Sequence, residues 1–327
     1  MALPLSAWEA PGVNFQAGVD EAGLGPILGP LVVAGVAMGG PEGSDPWQLL
    51  AGRVSRERHA KGKFRVADSK KVHSGPRGLE RLEQTVLGFW GAFRGTLPKT
   101  LAEWLADLGH DTAPLARCPW YQSLDLPLPL HGDRALLELQ AAMLARDIEA
   151  AGLQFARIAV RPVEVEEWNA LIAETDNKSR AHFRVYAEVI ARILDVLPAG
   201  AHLVADRAGG RMHYRNDLQR IRPGSRVEVV QEQKAVSVYR LHEQGSARTI
   251  TFSEKAENRA FPTALASCFA KYTRELFLRV LNGWFAQQVP GITPTAGYFV
   301  DGHRFLADLE PHAVRMALPR DLLVRCR

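Results

Sequence analysis

Five acidic residues sit where short apolar runs end. Asp20 and Glu21 follow the run 15–19, Asp206 follows 202–205, and Glu254 and Glu257 follow 248–252. In an open α/β sheet, the ends of neighbouring strands converge and sites form there. Carboxylates gathered at one point repel one another and resist desolvation, so they persist mainly around a hard cation. Oxygen-only donors select Mg²⁺ or Mn²⁺ over zinc. Two such ions about 4 Å apart activate a water and stabilise the leaving oxygen in phosphodiester cleavage. One acid at a strand end is usually a turn or cap residue. Acids at three separate strand ends are the pattern that points to chemistry. Adjacent strand residues face opposite ways, so Asp20 and Glu21 can both ligate only if their strand ends there. The glycines that follow allow that ending.

The elements that must position these acids are legible from periodicity. Runs 15–19 and 31–38 read as strands joined by a turn containing Gly23, Gly25, Pro26, Gly29 and Pro30. Further strands are expected at 156–163, 202–205, 227–231, 236–241 and 248–252. Residues 41–75 read as loop with a basic helical piece. The region 79–152 reads as helical, broken by the Pro-rich stretch 118–130. Its clearest helix places Leu136, Leu139, Met143, Leu144 and Ile148 on one face behind an Asp133 N-cap. An amphipathic helix over 177–197 carries Phe183, Tyr186, Ile190, Ile193, Leu194 and Leu197, and a long helix starts at Pro262. The mixture predicts an α/β fold, a mixed sheet covered by helices on both faces.

Composition narrows the class. A chain of 327 residues with 46% hydrophobic and 23% charged residues suits one large domain, or one domain with an insertion, and neither disorder nor membrane insertion. The start, Met1 to Gly12, lacks the features of a signal peptide, and no apolar run reaches the roughly 18 residues of a spanning helix. Cys118, Cys268 and Cys326 are far apart and show no CxxC spacing, so neither zinc nor a disulfide framework is indicated and a cytoplasmic setting is expected. Two basic runs stand out. One holds Arg53, Arg56, Arg58, His59, Lys61, Lys63, Arg65, Lys70 and Lys71, and the other holds Arg207, Arg211, Arg215, Arg220, Arg222 and Arg226. Such runs are ordinarily solvated faces, and they gain meaning only beside catalytic acids. A dinucleotide loop is excluded. Gly23-x-Gly25-x-x-x-Gly29 has the wrong spacing, precedes a strand, and follows acids that would repel a pyrophosphate.

The segment Gly18-Val19-Asp20-Glu21-Ala22-Gly23-Leu24-Gly25-Pro26-Ile27-Leu28-Gly29-Pro30 resembles the opening signature of the type 2 ribonucleases H, the bacterial HII and HIII enzymes. Asp68-Ser69-Lys70-Lys71, Val204-Ala205-Asp206, Lys255-Ala256-Glu257 and Gly297-Tyr298 with His303 resemble later family motifs, in the family's order. The Lys-Ala-Glu form is closer to the HIII branch. The resemblance implies a ribonuclease H-like fold with a five-stranded mixed sheet. It implies a catalytic domain over 14–75 and 151–316, with 76–150 as a helical insertion, a candidate lid or partner surface. It implies Asp20, Glu21, Asp206 and Glu257 as catalytic residues and ligands of Mg²⁺ or Mn²⁺, with family spacing favouring Glu257 over Glu254. Gly23, Leu24, Gly25, Ser69, Lys70, Lys71 and Tyr298 are the implied substrate-binding residues. The implied activity, in a cytoplasmic monomer with no membrane partner, is hydrolysis of the RNA strand of an RNA/DNA hybrid or a ribonucleotide-containing DNA duplex. Family members cut 5′ of a ribonucleotide.

Three departures stand against the pattern. Leu24 occupies a place that is usually basic, the insertion is extra, and only about 13 residues precede the first strand, where the HIII branch carries a further domain. Two alternatives are therefore a nuclease of this fold acting on branched or damaged DNA, and an inactive nucleic-acid-binding protein. Among other residues, Trp120-Tyr121 pack a loop or stack on nucleic acid, and His303 holds its loop or meets phosphate. Asn177-Lys178-Ser179-Arg180 are a capped helix start or a phosphate site.

Overall fold

The computed structural model describes residues 13–58, 60–207 and 209–326; His59 and the Met1 to Gly12 segment lie outside them. The strands of the main sheet are β1 (Val13–Ala22), β2 (Leu31–Pro41), β3 (Gln154–Val163), β4 (His202–Asp206), β5 (Arg226–Glu232), β6 (Val236–Glu243) and β7 (Ser246–Ser253). They lie in the order β3-β2-β1-β4-β7-β6-β5. β1, β4 and β7 run parallel at the centre, and the other pairings are antiparallel. The α/β class and the mixed sheet are as expected. The count is corrected from five strands to seven, because the run at 236–241 pairs onto β7 and the run at 227–231 onto β6, as an antiparallel extension.

Among the described residues, the helices longer than one turn are α1 (Gly78–Arg94), α2 (Leu101–Asp107), α3 (Arg134–Ala150), α4 (Val165–Thr175), α5 (Lys178–Leu194), α6 (Arg215–Ile221), α7 (Phe261–Gln288) and α8 (Phe299–Leu309). Two cores form, one on each side of the sheet. Even-numbered residues of β1 face α7, and odd-numbered ones, Phe15, Ala17 and Val19, face α5. β2 is buried from Leu31 through Gly40 because helices cover both its sides. Residues 78–150 contribute to the α7 side. Trp90 meets Phe269 and Trp104 stacks on Phe269. Buried Glu83 accepts hydrogen bonds from the Leu130 and His131 amides and from the Tyr272 hydroxyl. Asp133 caps α3 as expected. The buried face of α3 is corrected, however, to Leu137, Ala141, Leu144 and Ile148, leaving Leu136, Leu139 and Met143 exposed. Among the described residues, no helix is long and apolar enough to cross a membrane.

The close approach of α7 to the sheet depends on Gly18. A Cβ there would stand 2.1 Å from the Thr263 amide nitrogen. The Thr263 hydroxyl in turn donates to the Val204 carbonyl at 2.7 Å, joining the start of α7 to β4. Gly18→Ala is expected to destabilise the chain by about 3 kcal/mol or more, since α7 must move off the sheet. Denaturant titration checks this, and a wild-type midpoint would show that the contact yields.

Candidate active site

The parallel trio sets the geometry. Val19 pairs with Ala205, so Asp20 and Asp206 stand side by side one step further along. Neighbouring strands lie about 4.8 Å apart. Both acids point to the α7 face, by alternation with Val19 and Ala205, which face α5. Beyond β7 the chain turns through Lys255, at φ +55°, into a 3₁₀ turn at Ala256–Asn258. There the Ala256 amide donates to Asp206 Oδ1 at 3.1 Å, bringing Glu257 beside Asp206. Tyr186 of α5 ties the strand ends from the other face, its hydroxyl lying 2.9 Å from the Val19 carbonyl and 3.2 Å from that of Asp206.

Glu21 is placed differently. β1 continues to Ala22, so the strand does not end at Glu21, and its carboxylate turns toward α5. There Oε2 lies 3.8 Å from Nε2 of buried His182, and neither atom has a hydrogen-bond partner. Glu254 is exposed and pairs with Arg207 at 3.4 Å.

The electrostatics unite the four acids. Burial, then Glu21 and Asp206, hold Asp20 well above the usual carboxylate range. Burial and Asp206 push Glu21 up to about 8, against the pull of Lys70. Asp206 is raised by burial and opposed by the Ala256 and Arg207 amides, and Glu257 is raised by burial, Asp206 and Asp68. Each acid sits in a field that disfavours its own charge, and Glu21 Oε2 is unsatisfied. That donor set fits a hard divalent cation. Among the described residues, no three His, Cys, Asp or Glu side chains already converge at ligand distance. Holding one ion therefore requires the side chains to draw inward.

Two surfaces flank the acids. In the first, Asp68 caps the turn Ser69–Val72 by accepting from the Lys70 amide, and the Ser69 amide donates to Ser267 of α7. Ser69 is buried. Lys70 and Lys71 are exposed, and Lys71 Nζ lies 3.3 Å from Asn258 Oδ1. The second surface is the loop at Gly23, Leu24 and Gly25. Gly23 adopts φ +91° and would clash with Arg274 if it carried a Cβ. Leu24 packs on the α5-side core, while Gly25 is exposed beside half-exposed Tyr298. The Gly297 carbonyl accepts from the Ile27 and Leu28 amides, joining the two segments.

Sequence reasoning missed Asp68 and His182. Asp68 stands in the same motif as Lys70 and its charge acts on both Asp206 and Glu257, so the motif itself was the available signal. His182 lies on an apolar helix face and reads as core. The second basic run is largely occupied locally: Arg211 and Arg220 pair with Asp217, and Arg222 pairs with Asp195. A groove of about 1080 Å³ lies there between α5 and α6, and none of the four acids lines it. Trp120 and Tyr121 are buried against Phe285 and Phe277, which removes them from any stacking role. Asn177 caps α5 through the Arg180 amide, and exposed His303 packs on Phe299.

No protein-family model and no curated protein matches the chain. Among solved structures it is similar to a chain of the PCNA:RNase HII complex from Archaeoglobus fulgidus (18% identity, 96% of this chain and 94% of that one, TM-score 0.42). It is also similar to ribonuclease H2 from Pyrococcus horikoshii (16%, 94% and 92%, TM-score 0.39). A third is Bst-RNase HIII in complex with Mn²⁺ (12%, 98% and 68%, TM-score 0.41).

A pH dependence follows from the cluster. Folding raises the pKa of each acid, so the folded state binds more protons than the unfolded state between the two values. The stabilising contribution is complete below the unfolded values, 4.5 for Glu21, and is lost as pH rises through the folded one, about 8. In EDTA the melting temperature is expected to fall by a few degrees between about pH 5 and pH 8. Mg²⁺ or Mn²⁺ should restore it, and Asp206→Asn should flatten the profile. A melting temperature indifferent to pH and to both cations would remove the cluster as a cation site.

Proposed function

We propose that this chain is a metal-dependent endonuclease of the ribonuclease H type, hydrolysing the RNA strand of RNA/DNA hybrids on the 5′ side of a ribonucleotide. The observation that carries this reading is the juxtaposition of Asp20 and Asp206 at the ends of parallel strands, with Glu257 brought in by the turn after β7. The motif order along the sequence adds the substrate class.

Asp20, Asp206 and Glu257 would hold the Mg²⁺ or Mn²⁺, and Glu21, whose carboxylate turns toward α5, would join them only by swinging round the strand. When bound, such cations activate water for in-line attack and stabilise the departing 3′ oxygen. The chain's own groups do the rest. Exposed Lys70 offers a cation to backbone phosphate at the edge of the acidic cluster. Gly23 and Gly25, having no side chains, let the backbone approach a ribose 2′-hydroxyl, the group that tells RNA from DNA. Tyr298, beside Gly25, presents a ring face to a sugar or base. Leu24 in the usual basic position favours a second reading, a nuclease of this fold acting on branched or damaged DNA.

One assay separates the readings. The purified protein is offered an RNA/DNA hybrid, a DNA duplex with one embedded ribonucleotide, plain DNA and branched DNA, with Mg²⁺, Mn²⁺ or EDTA. Metal-dependent cutting of the ribonucleotide-containing substrates is expected. Cleavage of plain or branched DNA alone would move the assignment to the second reading, and tight binding with no cutting would make the chain a binding protein. Asp206→Asn is expected to lower activity on the order of a hundredfold or more while the chain stays folded, because ligand charge is lost with little volume. Normal turnover in that variant would reject the site.

A further inference from the structure

The loop at Gly23–Gly29 is held from inside by an arginine near the end of the chain. Arg325 is buried, and its Nε donates to the Gly29 carbonyl at 2.7 Å and its NH1 to the Gly23 carbonyl at 2.6 Å. Its amide donates to the Ile27 carbonyl at 2.9 Å, and Val324 bridges to Leu28. The segment is fastened to α4 as well. Asn169 donates to the Asp321 and Val324 carbonyls and accepts from the Cys326 amide. Arg325 also lies over the Trp168 ring, 5.8 Å from its centroid. A second buried arginine, Arg274 of α7, holds the Leu28 and Ala296 carbonyls.

A buried guanidinium with no carboxylate partner is expensive. Here the Gly29 and Gly23 carbonyls accept hydrogen bonds from its Nε and NH1 while NH2 has no partner, so these two contacts are what hold the loop carbonyls inward. The peptide joining Gly23 to Leu24 is planar and trans, so its carbonyl and the Leu24 N–H point in opposite directions. With the Gly23 carbonyl fixed on Arg325, the Leu24 N–H is fixed outward. Among the described residues, neither the Leu24 nor the Gly25 amide donates to a backbone carbonyl. Adjacent unpartnered N–H groups on a glycine turn form a concave donor site for an oxygen.

We infer that Arg325 is a positioning residue for substrate recognition, aiming the Leu24 and Gly25 amides at an acceptor oxygen on the ribose or phosphate of the strand to be cut. This rests on the nuclease reading for its ligand. It also accounts for selectivity in a loop where Leu24 supplies no charge: the cation stands behind the loop and acts through the backbone.

The test is Arg325→Met, with Arg325→Lys as the conservative variant that can still reach one carbonyl. Binding of a fluorescent RNA/DNA hybrid and of the matching DNA duplex is measured by anisotropy, together with kcat and KM on the hybrid. Arg325→Met is expected to weaken hybrid binding and raise KM about tenfold, the equivalent of one charge-assisted hydrogen bond, with kcat little changed and duplex binding nearly unaltered. Arg325→Lys should recover part of the loss. Amide exchange at Leu24 and Gly25, read without substrate, should quicken in Arg325→Met. Should Arg325→Met fold poorly, Asn169→Ala loosens the same strap while keeping the arginine, and a smaller shift in the same direction is expected. Unchanged hybrid preference, or an equal loss on hybrid and duplex, would overturn the inference. If the wild-type chain cuts nothing, the nuclease reading fails on its own, while the exchange and binding comparisons still decide the role of Arg325.

Discussion

Mutual repulsion among buried carboxylates is the constraint around which the molecule is built. Asp20 and Asp206 stand on adjacent parallel strands with burial and like charge both opposing ionisation. That repulsion is relieved by taking up protons or a cation, and the sheet end is also held mechanically. It is clamped on both faces: Tyr186 grips the Val19 and Asp206 carbonyls from α5, and Thr263 grips Val204 from α7. Gly18 lets α7 come close enough for the second grip. Lys70, tethered through Ser69 to the same helix, partly offsets the charge from the solvent side.

The strand pattern was legible because apolar alternation and Gly/Pro punctuation are local. The runs themselves marked all seven strands of the sheet, including 227–231 and 236–241. The resemblance to a family with five strands drew the count downward. The candidate acids were readable as residues near strand ends, since three parallel strands deliver their ends to one side of the sheet. The facing of Glu21 was not, because one further β1–β2 pair, Ala22 with Val32, keeps the strand going. The α3 face slipped by one residue for a related reason. Leu136, Leu139 and Met143 make as good a stripe as Leu137, Ala141, Leu144 and Ile148, and only the neighbouring helices choose between them. Arg325 and Arg274 act on backbone across large sequence separations, and His182 lies far along the chain from the Glu21 it faces, so no local pattern marks them.

Charge density along the sequence was a poor guide to electropositive surface. Arg65 points inward to the Lys71 carbonyl, Arg53 pairs with Asp147, and Arg56 lies over Trp47. In the second run, Arg211, Arg220 and Arg222 all have carboxylate partners. What remains for a polyanion near the acids is a small number of exposed groups, Lys70 and Lys71 foremost.

The two additional strands change where the sheet ends. With β5 and β6 in place, β7 is hydrogen-bonded on both flanks, by β4 and by β6, and the chain leaving it for Glu257 departs from an interior strand. Fraying, which begins at outer strands, is displaced to β5. That border carries an irregularity between Val229 and Gln231, and alternating charges at Arg226, Glu228 and Glu232. Such features discourage a second sheet from adding on. The extension thus moves the vulnerable margin of the fold two strands away from the acids, and leaves it on a strand that contributes none of them.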